Sequence, residues 1–150
     1  MTNVLKNQTT ALISDLNKIY KEFEQELKVY IDSFDEDILF SFFKNDQAAK
    51  KYISQHYCFA AKVLPLYDET NNIISKLSQV LCKSYDINDT VLISNIDKEI
   101  KKHLLFQQNF ADFLENCEKE IQNNKDNQLP KHLYKLAIEL KQKNEFIKKS

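Results

Sequence analysis

The sequence predicts an all-α protein, an elongated up-and-down bundle of three long helices with a shorter C-terminal helix. Three observations predict it. There is no glycine among the 150 residues and only two prolines, Pro65 and Pro130, whereas tight β-hairpins draw on glycine for their positive-φ positions. Apolar residues recur at three- and four-residue spacing along most of the chain, the period of a helix with one buried side. The breaks between these stretches are short and polar, which favours antiparallel neighbours. With 43% hydrophobic and 29% charged residues, a chain of this length is expected to form one globular domain over 1–150.

The first helix is expected over residues 3–33, with Leu12, Ile13, Leu16, Ile19, Tyr20, Phe23, Leu27 and Tyr30 on one side and Phe34 just beyond. Asp35 suits the N-cap of a short helix near 36–44, and Asp46 the N-cap of the next. Ile38-Leu39-Phe40-Ser41-Phe42-Phe43 sets five large apolar residues in six positions, too many for one face of one or two turns. Either this helix is wedged between longer ones, or Leu39, Phe40, Phe42 and Phe43 form a partner-binding patch.

Residues 46–85 carry a seven-residue, coiled-coil-like repeat. Ala49, His56, Val63, Thr70, Leu77 and Ser84 form one column. Tyr52, Phe59, Leu66, Ile73 and Val80 form a second, and Ile53, Ala60, Tyr67, Ile74 and Leu81 a third. The last two are apolar or aromatic throughout, so the stripe is wide enough to meet at least two neighbours. The repeat does not slip at Pro65, which lies opposite the stripe together with the Ala61 carbonyl that it leaves without a donor. One helix bent at Pro65 is therefore expected; the alternative is two helices with Pro65 in the first turn of the second.

After a break at 86–89, a third helix of roughly 35 residues should be about 50 Å long. Its stripe is read as Ile93, Ile96, Ile100, His103, Gln107, Phe110, Leu114, Cys117 and Ile121, flanked by Leu104, Phe106 and Phe113. Residues 123–128 are a polar loop. Pro130 then opens a last helix running to about Lys148 on Leu133, Leu136, Ala137, Leu140 and Ile147.

The missing glycine also excludes glycine-rich phosphate loops, dinucleotide fingerprints and the GxSxG elbow. All 21 basic residues are Lys, so the planar fork that arginine offers to phosphate or guanine is absent. Net charge is −1, too small to steer the chain to nucleic acid or anionic lipid. Cys58, Cys82 and Cys117 are odd in number and widely spaced, and are expected to be reduced, mostly buried thiols of a cytoplasmic protein. No secretory signal and no membrane-length apolar run are visible.

Four polar residues interrupt the core stripes: His56, Thr70, His103 and Gln107. If the helices flanking Ile87 form an antiparallel hairpin, residues equidistant from the turn lie level. Tyr67, Thr70, His103 and Gln107 then make a candidate polar layer near Pro65, and His56 falls beside Cys117. Such a layer can bind a ligand or metal or respond to pH, but it can equally fix helix register. No Glu-x-x-His pair of the kind used by metal bundles is present, so no metal or other cofactor is expected, and no catalytic triad can be assembled.

These features together point to a non-enzymatic protein-interaction module: a secretion chaperone, an immunity or inhibitor protein, or a small subunit of an assembly, with another protein or a second copy of itself as partner. An alternative is a nucleic-acid or membrane-surface binder using the C-terminal helix, since 7 Lys against 3 acids follow from Lys125 onward. The other reading of that helix is simply a solvated face, and a net charge of −1 steers the chain to neither contact. A metal- or ligand-binding bundle comes third.

Overall fold

A computed structural model describes residues 2–34, 46–123 and 128–145. These residues form four helices and no strand: α1 (Thr2–Asp32), α2 (Asp46–Asp86), α3 (Thr90–Gln122) and α4 (Leu129–Lys143). Three long helices and a shorter C-terminal one are thus present as expected. The short helix expected near 36–44 lies outside the described residues.

One continuous helix runs through Pro65, which is exposed. The seven-residue columns hold along it, with one revision. The first column is as deeply buried as the second, for His56, Val63, Thr70, Leu77 and Ser84 are all buried, while the third is half-buried throughout. The seam therefore runs along the column that carries the polar residues. Two of these satisfy themselves locally: the Thr70 hydroxyl donates to the Tyr67 carbonyl at 2.6 Å and that of Ser84 to Val80 at 2.8 Å, so neither is left unpaired in the core.

The turn between α2 and α3 shows how a chain without glycine closes a hairpin. Asn88 takes the left-handed conformation, φ 55°, which Asn tolerates better than most residues. Its N–H bonds to the Tyr85 carbonyl and that of Asp89 to Ser84, the paired bonds of a Schellman stop. Asp89 then caps α3, its Oδ1 accepting the Leu92 N–H at 3.1 Å.

On α3 the expected stripe is corrected. Leu92, Ile96, His103, Phe106, Phe110, Phe113 and Cys117 are buried, at alternating spacings of three and four from His103 onward. Ile93, Ile100, Gln107, Leu114 and Ile121 are only half-buried, and Leu104, expected as a flank, is 56% exposed. Phe106 and Phe113 are central because each is the second member of an a/d pair with His103 and Phe110. The last helix also stops earlier than expected, at Lys143. Asn144 closes it with an N–H bond to Leu140. Ile147 lies outside the described residues.

The described residues cluster into two compact units. The first combines α1 up to Phe23 with Leu64–Phe106, a three-helix packing around Leu16, Leu77, Ile96 and Phe106. Phe106 meets Tyr20 and Phe23 edge to face, each at 5.0 Å between ring centres, geometry favoured by the ring quadrupole. The second unit takes α1 from Glu24, α2 up to Val63, and the chain from Gln107 onward. Here Tyr30 stacks on Phe59 at 4.8 Å and Phe34 on Tyr52 at 5.0 Å, while Leu133, Ala137 and Leu140 of α4 are buried.

Candidate functional site

In the first unit one imidazole joins three helices. His103 of α3 is 1% exposed. Its Nε2 lies 3.0 Å from Asn71 Oδ1 of α2 and its Nδ1 lies 3.1 Å from the Tyr20 hydroxyl of α1. The amide oxygen of Asn71 can only accept, so Nε2 carries the proton. Nδ1 is then the acceptor and Tyr20 donates. Asn71 and His103 each lie 16 residues from Ile87, so the hairpin register follows the equidistance rule. Burial pushes the imidazole down to about 4, and burial, followed by the charge of Glu99, pushes the Tyr20 phenol up. Both are neutral at pH 7. Glu99 is itself ion-paired with Lys102 at 3.4 Å, both side chains largely covered.

Of the four residues expected in a polar layer, this unit brings together His103, Tyr67 and Thr70 only loosely. Tyr67 reaches the Phe106 ring at 6.4 Å, and that ring lies 6.0 Å from His103. Thr70 spends its hydroxyl on its own helix. Gln107 is half-buried and begins the second unit on α3. The working partners of His103 are Tyr20 and Asn71, which sequence reasoning missed. Tyr20 stands on the apolar side of the first helix, and Asn71 follows directly after a buried column.

The second unit repeats the pairing with a different electrostatic setting. The Tyr30 hydroxyl of α1 lies 3.4 Å from Nδ1 of His56 on α2, and the His56 ring packs against Phe113 of α3 at 5.8 Å. Burial lowers the His56 pKa, opposed by the charge of Glu118. Glu118 also accepts the exposed Tyr57 hydroxyl at 3.0 Å. Cys117 is fully buried, its thiol pushed up by burial and by Glu120 and Glu118, and burial, followed by Cys117, disfavours the Tyr30 phenolate. His56 and Cys117 thus flank the same tyrosine. Cys58 and Cys82 are exposed, contrary to the expectation of mostly buried thiols, because both fall on the outward side of α2.

A shallow groove of about 150 Å³ is lined by α1 residues Glu26, Val29, Tyr30 and Ser33 and α2 residues Gln55, Cys58, Phe59 and Lys62. It is smaller than the roughly 300 Å³ at which ligand pockets begin. No three His, Cys, Asp or Glu side chains among the described residues come together to hold a metal ion. Asn109, unremarked in the sequence, donates to the Lys143 carbonyl at 3.4 Å and to Asn144 Oδ1 at 3.0 Å, tying α3 to the end of α4. Leu39, Phe40, Phe42 and Phe43 lie outside the described residues. No described helix is long and apolar enough to cross a membrane.

Comparison with protein-family models, with curated proteins and with solved structures finds no match.

Proposed function

We propose that the chain is a protein-interaction module that acts by contact and carries out no catalysis. The observation that carries this reading is the apolar tip of the α2–α3 hairpin, where Tyr85, Ile87 and Val91 are exposed, Val91 by 70%. They surround a turn held by the Asn88 and Asp89 backbone bonds and by the Asp89 cap. Large apolar side chains carried on an ordered turn bind at low entropic cost, since little remains to be immobilised on contact. Supporting it, the two buried imidazoles already bond to tyrosines, and His103, at about 4, is poorly matched to proton transfer near neutrality.

A membrane or nucleic-acid role for the basic C-terminal helix gains less support. Insertion of α4 into a lipid surface would need its apolar side, and Leu133, Ala137 and Leu140 are buried in the second unit.

The test is affinity capture from the native host with the wild-type chain beside a Tyr85→Ser/Ile87→Ser/Val91→Ser variant, with light scattering for self-association. A partner or second copy held by the wild type in a salt-tolerant manner and lost on the triple change is the expected result. Phe42→Ser, run in parallel, tests the proposed contact through Leu39, Phe40, Phe42 and Phe43. Identical partners and mass for all three chains, each with unchanged helical CD, would reject both contacts.

A further inference from the structure

The two bonds of the His103 junction match the neutral imidazole. Asn71 Oδ1 requires a hydrogen on Nε2, and the Tyr20 O–H fills the lone pair of Nδ1. A proton added at Nδ1 would reverse that bond, making the phenol oxygen the acceptor, and leave the phenol hydrogen to find another acceptor inside the core. We propose that the Tyr20–His103–Asn71 junction is an acid-released clasp, which holds the first part of α1 on the α2–α3 hairpin of the first unit and frees it when the imidazole is protonated.

The surroundings give an imidazolium little compensation. From α1 the facing group is the Tyr20 phenol. From α2 it is the neutral amide of Asn71, with the Tyr67 phenol behind Phe106. On α3 itself Glu99, whose charge is felt at Tyr20, is ion-paired with Lys102 at 3.4 Å. At His56 burial also lowers the pKa but Glu118 opposes it, and so it serves as an internal comparison. Burial holds His103 at about 4 against 6.5 when unfolded. Between these values the opened state binds more protons, so the contribution to stability is complete above pH 6.5 and is lost as pH falls toward 4. Opening would uncover Leu16, Ile19 and Phe23, all buried when the clasp is closed.

Hydrogen exchange on the full chain, corrected for intrinsic rate, tests the clasp by comparing neutral pH with about pH 5. Amides of residues 2–23 should lose protection by about tenfold or more, with those of α2 and α3 retained. His103→Gln keeps a donor for Asn71 and an acceptor for Tyr20 but cannot titrate, and it should abolish the change. Unchanged protection in the wild type, an equal loss in His103→Gln, or loss in every helix at once overturns the proposal. Should the variant not fold, nitrogen NMR of the wild-type ring decides. An Nε2–H tautomer whose titration coincides with the loss of protection supports the clasp, and an Nδ1–H tautomer or a midpoint near 6.5 rejects it.

Discussion

Each buried histidine meets a tyrosine from α1, and the bonds at His103 are the shorter and better resolved in chemistry. Its removal should be felt through the groups it leaves behind. His103→Leu strands the Tyr20 hydroxyl and the Asn71 amide oxygen in the core, at a cost of about 2–4 kcal/mol. The bundle should still form, because Leu16, Ile96 and Phe106 remain packed. Adding Tyr20→Phe in that background should cost little more, since the hydroxyl it removes has already lost its partner. Urea unfolding followed by helical CD measures the cycle, and strictly additive losses would mean that the three side chains do not act as a unit.

At the scale of the helices, two positions carry local cost. Asn88 sits at φ 55°, so Asn88→Gly should raise stability by up to about 1 kcal/mol and Asn88→Val should lower it by about 1–2 kcal/mol. Pro65 interrupts the hydrogen bonds of α2 on its exposed side. Pro65→Ala should therefore stabilise the chain by about 1–3 kcal/mol. Thermal midpoints check all three; a fall in midpoint for Pro65→Ala would show that the proline's constraint on the unfolded chain outweighs the lost bond.

For the molecule as a whole, the three thiols provide a readout of opening. Cys58 and Cys82 are exposed and Cys117 is buried with its thiolate disfavoured. A thiol reagent at neutral pH should label two sites rapidly and the third only as fast as the chain unfolds. Mass spectrometry at successive times would reveal the pattern. Three equal rates would contradict the burial of Cys117 in the second unit.

How far the sequence went is clearest along α2. Period and the absence of glycine were sufficient for four of the helices, for continuity through Pro65 and for the hairpin register at Ile87, because burial at seven-residue spacing depends on local geometry alone. Which column lies deepest was not legible: His56, Thr70 and Ser84 make the first column the least apolar of the three by composition, yet side-chain bonds to their own helix or to a tyrosine make them compatible with the deepest part of the core. The same holds for α3, where Leu104 and Phe106 have equal apolar character and only the neighbouring helices decide that the phenylalanine is covered. The sequence by itself determined the elements and their order; tertiary structure alone decided the pairing of Tyr20 and Asn71 with His103 and the covering of α4, because a hydrogen bond between residues 83 apart leaves no periodic trace in the chain.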